Sequence, residues 1–291
     1  MKVVAFTIVR NAVKYGYPAR ESILSVLPLC HQMVVAVGNS TDGTREMVEA
    51  IADPKIIILD TIWDDKLTKG GAVLAVETNK AYQAIDADAD WCIYIQADEV
   101  LHQLDYATIH HAMQQHLYDK RVEGLLFRYH HFWGSYDYVG ASSKWYPFEI
   151  RIIRKRPDIF SYRDAQGFRK HPNKKLRVKK IEASVYHYGW VREPQTMHQK
   201  VQGVGQFWNG EEKADATKQY DAQNFDYNEV DSLKIFEGTH PPVMAERIAR
   251  INWQFNYDLS HNKLPMKEKL KNWIEQITGK RPFDYQNYKI I

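Results

Sequence analysis

The sequence has little cysteine. Only Cys30 and Cys92 occur in 291 residues, both in apolar surroundings, with no CxxC and no Cys/His cluster. Neither a disulfide framework nor a zinc site is expected from that pattern. Long apolar runs are lacking too, since none reaches the roughly 18 residues that a membrane-spanning helix needs. The opening MKVVAFTIVRN has a short apolar run, no separate basic region and no small-residue cleavage site. It reads as a first strand and not as a signal peptide, and a cytoplasmic location is the expectation. No GxGxxG follows that strand and no GxxxxGK[ST] occurs, which argues against dinucleotide and P-loop sites. HExxH and GxSxG are absent as well. The stretch DADAD (86–90) alternates like a calcium loop. Trp91 stands where such a loop needs Gly, however, and Ala97 where it needs Glu, so that reading fails.

What is present is a globular composition, with 44% hydrophobic and 26% charged residues. Aromatics reach 13%, enough to fill a core and also to line a site for sugars or bases. Net charge is only +3, but residues 151–180 hold 12 Lys/Arg against two Asp/Glu, a local +10. Such a run is either a solvated face or a surface for an anion. Its expected partners are an anionic acceptor or an anionic membrane at the inner membrane face, with no nucleic acid.

The first half alternates strand and helix signals. Strands are expected at 3–9, 32–38, 55–59, 91–95 and 124–133. Helices are expected at 18–29, within 39–52, at 70–85 and at about 104–118. That alternation indicates βαβ units and a mostly parallel sheet, in which ligands bind beyond the carboxyl ends of the strands. After residue 133 the pattern changes. Strands are expected at 149–155 and 181–191, and helices at 194–209, 243–259 and 266–277. Residues 1–133 thus read as an α/β half and 134–291 as a mixed extension with helices, packed on it as one body.

The stretch WCIYIQADEV (91–100) poses the sharpest question, because an apolar strand runs straight into two adjacent carboxylates. Unpaired charge at such a place needs water, hydrogen-bond donors or a cation. Taken with TIVRNA (7–12), GNSTDGT (38–44) and ETNKAY (77–82), it resembles the family 2 glycosyltransferases with the GT-A fold, over about residues 1–100. The resemblance implies a metal-dependent, inverting glycosyltransferase of the hexosyltransferase class. Such an enzyme would move a sugar from a nucleoside diphosphate donor to the hydroxyl of a saccharide, lipid-linked or other acceptor, in glycan or cell-surface polysaccharide synthesis. It also implies Mg²⁺ or Mn²⁺ on the diphosphate, held by Asp98, with His187 as a late second ligand. Gln96 stands where the family's motif has its first Asp, and supplies no charge. Arg10, Asn11, Asn39, Asp42, Lys69, Asn79, Gln96 and Ala97 become candidates for holding the nucleotide-sugar. Asp42 equally suits the cap of the helix after it. Lys69 precedes Gly70-Gly71, which suits either a phosphate approach at a helix N-terminus or a plain turn.

An inverting transfer needs a base for the acceptor proton. Glu149 is the expected one, beside Trp145 and Tyr146 for stacking on the acceptor. Asp137 is its rival, and an ion pair of Glu149 with Arg151 is the structural alternative. His130 and His131 are adjacent on a strand, so they face opposite sides and cannot share one site. Two other function classes compete. A GT-A-like nucleotidyltransferase would carry a Gly-rich loop after strand one, which VRNAVKYGYP lacks. A non-catalytic nucleotide- or anion-binding protein would have Gln96 as the mark of a degraded metal site.

Overall fold

The computed structural model describes residues 1–209, 224–261, 266–278 and 286–291. The first half runs β1 (Val3–Val9), α1 (Ala19–Val26), β2 (Gln32–Gly38), α2 (Thr44–Glu49), β3 (Ile56–Thr61), α3 (Ala72–Gln83), β4 (Trp91–Tyr94), β5 (Glu99–Leu101) and α4 (Tyr106–Gln115). β1 and β4 are buried along their whole length, because helices cover both faces of the sheet. Their side chains divide by parity. Val3, Ala5 and Val9 join Ile23 of α1 and Met113 of α4 in one core, while Val4, Phe6 and Ile8 join Tyr82 of α3 in the other.

The second half runs β6 (Gly124–Trp133), β7 (Tyr138–Gly140), β8 (Phe148–Arg154), β9 (Ile159–Tyr162), β10 (Gly167–Lys170), β11 (Lys174–Trp190), α5 (Pro194–Asn209), β12 (Leu233–Ile235), α6 (Ala245–Ala249), α7 (Met266–Thr278) and β13 (Tyr288–Ile290). The sheet order is β3-β2-β1-β4-β8-β6-β11-β10-β9. The first four strands are parallel to one another. β8 enters antiparallel between β4 and β6, and β11 runs parallel to β6. The expected α/β class is therefore present, with a parallel first half and a mixed second half. The 17-residue β11 places its far end against β5, pairing His187 with Glu99.

Three expectations change. The helix expected at 243–259 is limited to a 3₁₀ turn (Pro242–Met244) and the short α6. Beyond it, the alternating Trp253, Phe255 and Tyr257 do not form helix. The Trp253 indole N–H donates to the Gly134 carbonyl at 2.7 Å, and Phe255 packs edge-on to Tyr138. The strand expected at 181–191 begins at Lys174, and the hairpin β9–β10 was not anticipated at all. The basic stretch 151–180 is not one exposed face either. Arg151, Arg154 and Arg169 are buried, and the Arg154 guanidinium lies 4.0 Å from the Trp91 ring centroid. Glu123 meanwhile draws in Arg156, Lys170 and Arg177.

Candidate functional site

A cavity of about 530 Å³ opens beyond the carboxyl ends of β1 and β4. Ile8 to Asn11 and Gln96 to Asp98 form one side. His187 of β11, Lys200 and Phe207 of α5, and Asp164 to Gln166 of the β9–β10 hairpin are among the residues that line the other side.

The two carboxylates after β4 have different fates. The chain turns at Ala97-Asp98 before β5 begins at Glu99, and Asp98 faces the cavity while Glu99 is buried in the core. Both Glu99 oxygens are occupied. Arg151 donates to them bidentately at 2.7 and 2.8 Å, the Tyr129 hydroxyl donates at 2.7 Å, and the Gln96 backbone N–H at 3.0 Å. Arg151 thus belongs to Glu99 and not to Glu149. Asp98 is fixed through its carbonyl, which accepts the Tyr188 N–H at 2.8 Å. Burial works against its charge, while the positive charges of Lys200 and Arg192 help to hold its carboxyl below the usual range.

Behind Asp98 the histidines form a relay. One ring nitrogen of His131 (Nε2) lies 2.8 Å from the Tyr146 carbonyl, and the other (Nδ1) lies 3.0 Å from His187 Nδ1. A carbonyl only accepts, so Nε2 of His131 carries the proton. Burial pushes His131 well below its ordinary value, so its Nδ1 is a bare acceptor. His187 must then donate from Nδ1, which leaves its Nε2 lone pair facing the Asp98 carboxylate at 3.8 Å. Gly189 keeps that space open. A Cβ there would sit 2.6 Å from His187 Nε2 and 3.0 Å from Asp98 Oδ2.

Lys200 closes the group from α5. Its ammonium donates to the Gly189 carbonyl at 2.7 Å and lies 4.0 Å from Asp98 Oδ2. Burial, with Arg192 close by, pulls it down to about 7, against the pull of Asp98. Nothing in the sequence around 200 singles out this lysine.

The described residues hold no group of three or more His, Cys, Asp or Glu arranged for a metal. Asp98 and His187 nevertheless fit one. They offer a carboxylate and an imidazole lone pair across a gap that a single Cβ would fill. Mg²⁺ commonly takes only one or two protein ligands and completes its shell with substrate phosphates and water.

Of the expected nucleotide contacts, Arg10, Asn11, Gln96 and Ala97 line the cavity. Arg10 is held bidentately by Asp65 at 2.6 and 3.2 Å, with its guanidinium 5.4 Å from the Trp63 ring centroid. Gln96 donates to the Ala165 carbonyl at 3.1 Å and so ties the strand end to the β9–β10 hairpin. Asn39, Asp42, Lys69 and Asn79 do not line the cavity. Asn39 accepts the Trp63 N–H, and Asp42 accepts the Lys14 and Thr44 N–H groups, so these two build the loop walls. Asn79 accepts the Ser161 N–H at 2.7 Å and joins α3 to β9. Lys69 is exposed in the turn before α3.

The acceptor-side expectations also divide. Tyr146 lines the cavity, whereas Trp145 packs on Gly140 and Trp133. Glu149 is only 1% exposed and does not reach the cavity. It lies beneath Gly167, where a Cβ would come within 2.6 Å of Oε1. Burial pushes it up to about 7. Asp137 is exposed and also lies off the cavity. The carboxylates in the described wall are Asp98 and Asp164. Sequence reasoning missed Asp164 because an unanticipated hairpin carries it.

No protein-family model and no curated protein matches the chain. Among solved structures, it is similar to S. aureus TarS 1–349 in complex with UDP, with a TM-score of 0.41 and 13% identity over 75% of this chain and 69% of that one. Against S. aureus TarS in a longer form the TM-score is 0.40, and the chain spans 39% of that length. Mycobacterium tuberculosis glucosyl-3-phosphoglycerate synthase, solved with Mn²⁺, UDP and phosphoglyceric acid, matches at 0.31 with 15% identity over 44% of this chain and 43% of that one. A 4-diphosphocytidyl-2C-methyl-D-erythritol synthase from Anaerococcus prevotii matches at 0.33 with 12% identity, covering 53% and 70%.

Proposed function

We propose that this chain is a GT-A glycosyltransferase that moves a sugar from a nucleoside diphosphate donor to an acceptor hydroxyl with inversion. The observation that carries the reading is the gathering of Asp98, the His187 lone pair and Lys200 around Gly189, at the carboxyl end of a parallel sheet. The reading gives the diphosphate to that group, the nucleoside to the Arg10–Asn11 side and the acceptor to the Tyr146 side. A Mg²⁺ or Mn²⁺ between Asp98 and His187 would supply positive charge to the diphosphate oxygens. Lys200 adds a second positive charge from α5, and Gln96 positions the hairpin that carries Asp164. In the transfer the acceptor oxygen bonds to the anomeric carbon, the bond from that carbon to the diphosphate oxygen breaks, and the acceptor proton passes to Asp164. Asp164 takes the base role expected of Glu149, because it stands in the cavity wall and Glu149 does not.

Calorimetric titration of UDP, GDP and CDP with and without Mn²⁺ tests the donor site. The expected result is metal-dependent binding of one nucleotide, mostly lost in Asp98→Asn. Absence of binding by all three, with metal present, would overturn the proposal. Asp164→Asn is expected to lower transfer by about 10²–10⁴-fold with donor affinity kept.

A further inference from the structure

A second cavity, of about 280 Å³, opens beside the start of α5, where Tyr136, Arg192, Glu193, Thr196 and Arg247 are among its lining residues. It shares no lining residue with the first. Arg192 is 3% exposed, and its Nε and Nη2 have no hydrogen-bond partner among the described residues. Its Nη1 donates to the Gly189 carbonyl at 3.0 Å, and its guanidinium lies 4.7 Å from the Tyr17 ring centroid. Neither contact brings an oxygen to the Nε–Nη2 edge.

That edge is the one this chain uses elsewhere to hold carboxylates. Arg151 grips Glu99 through Nε and Nη2 at 2.8 and 2.7 Å, and Arg156 grips Asp158 through the same pair at 2.8 Å each. Arg192 presents the same fork with no oxygen of the described chain on it. The other charges in the wall have partners. Glu21 pairs with Arg247 at 3.2 Å, Glu246 pairs with Arg250, and Glu193 accepts from Asn252 Nδ2 at 3.4 Å. Unmet donors on a buried guanidinium are costly, and an oxyanion relieves that cost with two charge-assisted bonds.

Two further donors suit the same ligand. The Met197 N–H bonds the Glu193 carbonyl at 2.9 Å, so the Thr196 N–H before it lies outside the helical ladder, at the positive end of α5. Burial pushes the Tyr136 hydroxyl up to about 12, against the pull of Arg247 and Arg192, so it keeps its proton. A carboxylate has two oxygens, which the fork alone would take. A phosphate has more, for the hydroxyl and for the helix end.

We propose that the second cavity binds a phosphate group, free or carried on a small molecule, through the Nε–Nη2 fork of Arg192, the Tyr136 hydroxyl and the first turn of α5. Arg192 and Lys200 donate to the same Gly189 carbonyl, so the two cavities meet across that residue. The proposal does not need the glycosyltransferase reading.

The test is calorimetric titration of the full chain with inorganic phosphate, glycerol 3-phosphate and acetate, in metal-free buffer at pH 8. There Lys200 of the first cavity, pulled down to about 7, has mostly lost its proton, whereas an arginine keeps its charge. Both phosphates should bind at least about tenfold more tightly than acetate. Arg192→Gln should weaken them by at least about tenfold, and so should Arg192→Lys, which keeps the charge and lacks the fork. Tyr136→Phe should weaken them by about threefold or more. It removes one oxygen and no charge, so it carries the test if the thermal transition shows that the Arg192 variants do not fold. Lys200→Gln should stay within about threefold of the parent. Tighter binding of glycerol 3-phosphate would identify a carried group and tighter binding of inorganic phosphate the free anion, and either supports the site. No binding of either phosphate, affinity unchanged in folded Arg192→Gln or in Tyr136→Phe, acetate bound equally well, or a tenfold loss in Lys200→Gln would overturn the proposal.

Discussion

Glu149→Gln separates the two roles open to the buried carboxylate of β8. In the folded chain the acid is pushed from 4.5 to about 7, by burial first, against the attraction of Arg151 and the Ile150 N–H. At 1.36 kcal/mol per unit, that shift corresponds to about 3 kcal/mol between the protonated and ionised forms. The folded chain holds this proton to a higher pH than the unfolded chain does. Between pH 4.5 and 7 the folded state therefore binds more protons, and stability falls as pH rises. Above about 7 the whole cost of burying the charge is present. Glutamine is neutral throughout and keeps an oxygen for the Ile150 N–H, which now donates to Glu149 Oε1 at 2.8 Å. The variant should match the parent at pH 4 and exceed it by about 3 kcal/mol at pH 8. Urea denaturation at the two pH values measures this. An equal difference at both pH values, or a less stable variant at pH 8, would refute the reasoning. Sugar transfer by the same variant should stay within about threefold of the parent, whereas loss of a positioned general base costs about 10²–10⁴-fold.

Asp98→Asn should keep the fold and lose most metal-dependent nucleotide affinity, read by calorimetry with and without Mn²⁺. Gly189→Ala should do the same without touching a charged group, because its methyl would lie within 2.6 Å of His187 Nε2; retained metal-dependent binding would rule out the gap as the metal's place. Glu99→Gln should cost about 3–5 kcal/mol in urea denaturation, since it leaves the Arg151 charge buried without its partner. Donor affinity should fall as pH rises through about 7, where Lys200 loses its proton, and Lys200→Arg should flatten that dependence; an unchanged slope would remove Lys200 from donor binding.

The strands of the first half were legible because each is a short, nearly unbroken apolar run between turn residues, a local property. The positions of Arg10, Asn11 and Gln96 to Asp98 followed from topology, since parallel strands bring their carboxyl ends together. The extended course of 250–258 departs from the helix expected at 243–259, although Trp253, Phe255 and Tyr257 alternate as extended chain does. Their packing on Tyr138 and Gly134, more than a hundred residues earlier, decided it.

By itself the sequence determined the α/β class, the parallel half and the acidic turn after β4, because those depend on periodicity and on neighbours along the chain. Only the tertiary structure decided which groups meet Asp98. β11 crosses the sheet to bring His187 to it, α5 delivers Lys200, and Gly189 leaves the space between them. The tertiary structure also placed Glu149 one layer below the cavity and Asp164 at its wall. A charge seen in sequence carries no record of its partner. Arg151 reads as part of a basic run or as a partner of Glu149 and is in fact the buried counter-ion of Glu99, because burial and pairing are properties of the packed sheet and not of the segment.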